Sequence, residues 1–365
     1  MVHSTRTPVW SWTLPIVGIA LFAIATWVGF GEDFASDPLG IAIAVLLIPL
    51  LMAAVFAAVY HAEEVAHLTG EPVGTLVLTM AVTVIELALI VSLMLTGKAT
   101  PTLVRDTVFA VVMIIMTGLV GACLLVGGIR YREQTFDVMS AKIYLAMLIV
   151  FTTLSIILPN YTSSAPGGLY STSQLAFMSV AITALYAVFV FTQTMRHRDY
   201  FSGDHDPPDP DASSRGKLVV SILLLCVALT AVVLLAKLFA IEVNASITAV
   251  GVPPGVSGLI IALIVLLPES IAAVRAASRD DLQKSLNLAL GSSLATIGLT
   301  IPAIAVANII LQKPLVLGLD PRDMALVMMT LAASILTFGT GRTNVLFGFL
   351  HLVIFGTFLF FAFVP

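Results

Sequence analysis

The sequence predicts an all-α integral membrane protein of about eleven transmembrane helices, an extra first helix followed by two inverted five-helix repeats. Three observations predict it. Of 365 residues, 59% are apolar and only 10% charged, with mean hydropathy +1.06, more apolar surface than a water-soluble domain of this size can bury. Pro, Gly and charged residues cut the chain into eleven apolar stretches, each near the roughly 20 residues that a spanning helix needs. The two halves of the chain also carry matching punctuation and matching acids.

The stretches run approximately over 9–30, 38–60, 73–97, 107–129, 142–158, 172–195, 217–240, 256–277, 285–311, 323–340 and 344–364. The first follows MVHSTRTPVWSW without a small-residue cleavage site and reads as a span, not a secretory signal. Lys and Arg collect on the cytoplasmic side of membrane proteins. With the N-terminus inside, twelve of the 17 Lys and Arg residues fall inside, so a plasma (inner) membrane protein with cytoplasmic N-terminus and external C-terminus is expected. The long polar segment RHRDYFSGDHDPPDPDASSRGK divides the rest. Residues 1–37 then hold the N-terminal segment and first helix, 38–195 the first repeat, 196–216 a cytoplasmic linker and 217–365 the second repeat. Five is odd, so equivalent helices cross in opposite directions, the arrangement of inverted repeats in secondary transporters.

A net charge of -4 provides no basic field for nucleic acid. The expected partners are small inorganic cations and the lipid bilayer, with a homo-oligomer left open. Cys123 and Cys226 lie in apolar runs far from any paired Cys or His, which excludes a disulfide framework or a zinc site and reads both as small core residues.

Gly70-Glu-Pro72-Val-Gly74 precedes the third span and Gly251-Val-Pro253-Pro-Gly255 the eighth. Glu86 follows Gly74 by twelve residues and Glu269 follows Gly255 by fourteen. In the next span of each half, Asp106 leads to Thr117-Gly118-Leu119 and Asp281 to Ser292-Ser293-Leu294, eleven residues on in both cases. Each half thus pairs a helix carrying a membrane acid with a helix of small and hydroxyl residues. The other nineteen acids fall in loops or at helix ends.

An acid at bilayer depth costs roughly 2.5–3.5 kcal/mol on insertion scales and marks a functional site by default. Thr79 and Thr83 precede Glu86 on one helix face. The eighth span has Ala262 and Leu266 at those offsets but adds Pro268, which deprives the Ile264 carbonyl of its helical donor. Thr117, Ser292, Ser293 and Thr296 supply hydroxyls and Asn287 an amide on the partner helices, although such residues also serve close helix packing. Two carboxylates with hydroxyls and carbonyls form an all-oxygen donor set for a hard cation; Ca2+ takes roughly six to eight such ligands. Protons and a divalent ion would compete for the same oxygens. No organic cofactor is implied.

GEPVGTLVLTMAVTVIELALI (70–90), RDTVFAVVMIIMTGLVG (105–121) and LLPESIAAVRAA with SLNLALGSSLATIGLTIP (266–302) resemble the two alpha repeats of the bacterial calcium/proton antiporters, in the cation/calcium exchanger superfamily. The resemblance implies an eleven-span fold of two inverted five-helix repeats, a central glutamate in each repeat binding Ca2+ or protons, and alternating access. Those glutamates are Glu86 and Glu269, the expected metal-binding pair. Many superfamily members carry G-N-A-x-E, where this chain has Thr83-Val-Ile-Glu86 and Leu266-Leu-Pro-Glu269. Similar bacterial proteins exchange Na+ or K+. The expected function is therefore antiport of cytoplasmic Ca2+ for external H+, with Na+/H+ or K+/H+ antiport as the alternative.

Other candidates are weaker. His61-Ala-Glu-Glu-Val-Ala-His67 is not H-E-x-x-H and reads as a solvated helix end. Residues 204–215 lack the Gly and Glu that an EF-hand requires. A passive cation channel fits the site without the coupling. An intramembrane hydrolase using Ser292 or Ser293 with His351 would leave the paired glutamates without a role, and no enzyme is expected.

Overall fold

A backbone crossing lipid must satisfy its N–H and C=O groups within its own segment, so apolar stretches of this length fold as helices. The computed structural model describes residues 7–31, 33–70, 73–95, 100–196, 214–253, 255–311 and 315–364. Among them, eleven helices are long and apolar enough to span a membrane. They are α1 (Trp10–Val28), α2 (Pro38–Thr69), α3 (Val73–Leu95), α4 (Leu103–Tyr131), α5 (Val138–Tyr161), α6 (Thr172–Arg196), α7 (Gly216–Val250), α8 (Val256–Ala277), α9 (Leu282–Ile309), α10 (Pro321–Phe338) and α11 (Val345–Phe363). Polar side chains cap several starts, satisfying orphan N–H groups. Asp37 accepts from Gly40 N before α2, Asp137 from Ser140 N before α5, Asp281 from Lys284 N before α9 and Asn344 from Leu346 N before α11. Ser171 and Gln174 form a capping box before α6.

Two helices outrun the sequence expectation. Expected to end near 60 and 240, α2 continues to Thr69 and α7 to Val250. Hydropathy registers only the lipid-thick apolar stretch, whereas these helices extend through HAEEVAHLT and EVNASITAV. Four stretches wind as π-helix: Ile114–Leu119 in α4, Thr153–Ile157 in α5, Thr192–Arg196 in α6 and Thr296–Thr300 in α9. Proline accounts for two of them. Pro159 removes the N–H that the Ser155 carbonyl would take, and Pro302 the one for Gly298.

The helices gather into two compact units that do not follow the halves of the chain. The first unit contains α1, α2, α3 and α7. Its centre is α2, packed against the other three through fully buried Leu47, Leu51, Ala54, Val55, Ala57 and Ala58. Pro15 in α1 leaves the Ser11 carbonyl without its helical donor. His61 of α2 supplies one, its Nε2 lying 3.2 Å from that oxygen. His61 is fully buried and so is a helix-to-helix tie, not the solvated end that the sequence suggested; His67 of the same motif is exposed.

The second unit contains α4–α6 and α8–α11. Glycines let its helices close on one another, as membrane packing without a hydrophobic drive requires. A Cβ on Gly258 of α8 would sit 2.7 Å from Thr107 N of α4, and one on Gly348 of α11 would sit 2.7 Å from Leu125 N. At one end, strand β1 (Glu133–Thr135) pairs antiparallel with β2 (Arg342–Asn344). Gln134 Nε2 donates there to the Ala277 carbonyl at 3.2 Å and to Asp280 at 2.9 Å, joining the 4–5, 8–9 and 10–11 connections. At the other end, Val316 N donates to Pro101 O, Leu317 and Gly318 N to Gly168 O, and Leu319 N to Ile156 O. Those bonds join the 3–4, 5–6 and 9–10 connections, as eleven single crossings in alternating directions demand.

Cys123 is buried as expected, but Cys226 is exposed on α7, because its position falls on an outward face that an apolar run alone does not reveal. Residues 204–213 of the rejected calcium loop lie outside the described residues. Gly258→Ala is expected to destabilise the protein by about 1–3 kcal/mol through overpacking, read as a lower melting temperature in detergent. An unchanged melting temperature would show that the α4–α8 contact yields freely.

Candidate functional site

Glu86 lies on α3 and Glu269 on α8, one membrane acid in each half of the chain. On the partner helices, the caps Thr102 and Asp281 precede α4 and α9. Thr117 and Thr296 each lie fifteen residues beyond, and each sits in a π turn. Thr117 therefore corresponds to Thr296, not to Ser292 as the Asp-based count suggested. Ser292 and Ser293 then face apolar counterparts, Met113 and Ile114.

In the first unit, Glu86 is 1% exposed on α3, which packs against α2 and α7. Thr83 is buried and donates its hydroxyl to the Thr79 carbonyl at 2.9 Å. With its proton committed, the Thr83 oxygen presents lone pairs, the side of a hydroxyl that a cation binds. Glu86, Thr83 and Thr79 form one face of one helix.

In the second unit, α8 runs unbroken through Pro268. The proline thus removes a single hydrogen bond at the Ile264 carbonyl without severing the helix. Ile264 and Pro268 are buried and Glu269 is half-buried. α8 packs against both α4 and α9, and the π turn of α4 touches both α8 and α9. Thr117, fully buried, donates to the Met113 carbonyl. Ser292 and Ser293 have enclosed hydroxyls that make no hydrogen bond among the described residues, unusual for helical serines and suited to a polar guest. Asn287 Oδ1 accepts from Gln283 at 2.9 Å and from Ser140 of α5 at 3.5 Å.

Two residues take places that the sequence reading did not give them. Glu242, counted there among helix-end acids, lies within α7, half-buried with an enclosed Oε2; the extra length of α7 conceals this from a hydropathy count. His351 lies fully buried in α11, its ring bonded to Met116 O and to Thr337. Those contacts leave no serine–histidine pair, so the hydrolase constellation is not assembled.

Eleven membrane helices with a membrane acid in each half and hydroxyl-bearing partner helices define a multi-pass cation antiporter, not an enzyme. The chain belongs to the sodium/calcium exchanger protein family, whose profile matches residues 39–195 and again 220–364. It is 42% identical over 368 residues to the ionic transporter y4hA of Sinorhizobium fredii, covering 100% of this chain and 98% of the relative. It is 34% identical over 329 residues to the sodium-potassium/proton antiporter ChaA of Escherichia coli, covering 88% and 89%. Among solved structures, native YfkE aligns with TM-score 0.74 at 16% identity over 97% of this chain and 100% of that one. The H+/Ca2+ exchanger CAX aligns with TM-score 0.68 at 14% identity over 96% and 89%. At such identities these structures establish the common fold.

Pro268→Ala restores the missing helical bond and is expected to raise the half-saturating cation concentration about fivefold, measured as cation-dependent proton flux in everted vesicles. Unchanged half-saturation with slower turnover would make Pro268 a hinge.

Proposed function

We propose that the protein exchanges cytoplasmic Ca2+ for external H+, with Glu86 and Glu269 as the groups for which cation and protons compete. One acid within a membrane helix of each half, Glu86 on α3 and Glu269 on α8, carries this reading. A carboxylate in a membrane helix is costly as an anion and is relieved either by a proton or by a cation. Two of them match the charge of one divalent ion or of two protons. Thr79, Thr83 and the Ile264 carbonyl would add neutral oxygens, as would Thr117, Thr296, Ser292 and Ser293. The two profile matches, 39–195 and 220–364, fall on the two five-helix blocks and support reading them as inverted repeats.

A second reading, exchange of Na+ or K+ for H+, is favoured by the likeness to ChaA. The same carboxyls serve it, with one monovalent ion displacing one proton.

We also propose that the β1–β2 end of the second unit is cytoplasmic. Arg130, Arg132, Arg275, Arg279, Lys284 and Arg342 lie on its side of the sequence-derived topology, as the positive-inside rule requires. At the opposite end, Arg105 pairs with Asp106 at 2.9 Å and Asp320 at 3.5 Å, and Arg322 with Asp323 at 2.8 Å.

Proton flux in everted vesicles driven by Ca2+, Na+ or K+ tests the cargo, with Ca2+ expected to give the largest response. A response confined to Na+ and K+ would establish the second reading, and flux indifferent to the proton gradient would indicate a channel. Glu86→Gln and Glu269→Gln are each expected to abolish exchange while leaving a folded protein. Wild-type uptake by either variant would remove the central claim. In proteoliposomes, exchange of one Ca2+ for two protons is electroneutral, so a membrane potential should leave it unchanged; a current would overturn that stoichiometry.

A further inference from the structure

The π turn of α4 has no proline to cause it, unlike those of α5 and α9. Its hydrogen bonds show what holds it. In a regular helix the N–H of Val120 would donate to the carbonyl four residues back, Met116. Here it donates to Ile115 and Thr117, passing over Met116. That skipped carbonyl is taken by His351 of α11, whose Nδ1 lies 2.7 Å away. A carbonyl only accepts, so Nδ1 carries the proton, and Nε2 lies 2.9 Å from the Thr337 hydroxyl of α10. A Cβ on Gly121 would sit 3.1 Å from the His351 Cβ, so a glycine there lets the imidazole approach the turn.

We propose that His351 is a positioning residue for transport, holding the α4 backbone in its π turn so that Thr117 faces the helix carrying Glu269. The inference rests on the reading of Glu269 and Thr117 as cation ligands. Without a donor on Met116, an orphan carbonyl in lipid is costly, and the inexpensive remedy is to return the Val120 N–H to it. That closes the π turn to an α turn and removes one residue's worth of winding, which rotates Thr117 by roughly 100° relative to the helix beyond. The π turn touches both α8 and α9, so such a rotation redirects a hydroxyl at the candidate site. The corresponding turn of α9, bearing Thr296, is held instead by Pro302. A π turn in each of the two partner helices is thus produced by two unrelated devices, as expected if the irregular turn itself is what function requires.

The test measures half-saturation and maximal rate of cation-driven proton flux for Ca2+, Na+ and K+ in everted vesicles. His351→Leu, which fills the space without a donor, is expected to raise half-saturation about tenfold while leaving the maximal rate within about twofold. His351→Asn, whose Nδ2 can stand where Nδ1 stands, is expected to recover half-saturation to within about threefold of wild type. If His351→Leu does not fold, His351→Gln replaces it, since its longer amide passes over the Met116 carbonyl, and the same rise is expected. Glu269→Gln is measured alongside. Loss of exchange in Glu269→Gln with wild-type half-saturation in folded His351→Leu or His351→Gln would overturn the positioning role alone. Wild-type exchange in Glu269→Gln would sink the underlying reading and this role with it.

Discussion

The proposed function rests on carboxyl groups carried within membrane helices. An acid within a membrane helix costs roughly 2.5–3.5 kcal/mol on insertion scales, a large fraction of the 5–15 kcal/mol by which folded proteins are typically stable. Such groups persist where a proton or a cation relieves the charge. Glu86 on α3 and Glu269 on α8 are the two acids proposed as ion-binding groups. The requirement that lipid-buried backbone be satisfied then sets the rest. Three helix carbonyls have a named side-chain donor: His61 for Ser11, His351 for Met116, and the Thr117 hydroxyl for Met113.

The second unit provides the scaffold for one of the glutamates. Its α4 is buried almost throughout, held by α8 on one side and α11 on another through close glycine contacts. Both ends are tied by loop-to-loop hydrogen bonds, the β1–β2 pair at one and the bonds of residues 316–319 at the other. Buried polar side chains in such a bundle are expensive when unmatched, which gives the enclosed, unbonded hydroxyls of Ser292 and Ser293 their weight as candidate ligands. Family membership and these side chains lead to the same chemistry by separate routes.

The class of fold was legible because hydropathy and lipid thickness share one length scale, and the eleven spans fall close to their expected places. The glutamates were legible because an acid in an apolar run has few explanations. Register was less so. Asp106 and Asp281 are visible in sequence, but Asp106 lies inside α4 whereas Asp281 caps α9, so counting from them paired Thr117 with Ser292 in place of Thr296. The helical extension of α7 hid the position of Glu242, since polar residues continue a helix without raising hydropathy. The π turn of α4 was beyond reach, because its cause is a histidine 235 positions away, and His61 looked solvated because its partner is a backbone carbonyl freed by a proline on another helix.

Proton release on cation binding tests the central claim most directly. Ligands that exchange protons for a metal release them when it binds. Purified protein in weakly buffered detergent solution, titrated with Ca2+ under a pH indicator, is predicted to release about two protons per bound ion when the carboxyls start protonated. The Glu86→Gln/Glu269→Gln double variant is predicted to release none. Saturable Ca2+ binding by the wild type without proton release, or equal release from the double variant, would contradict competition between cation and protons at these two glutamates.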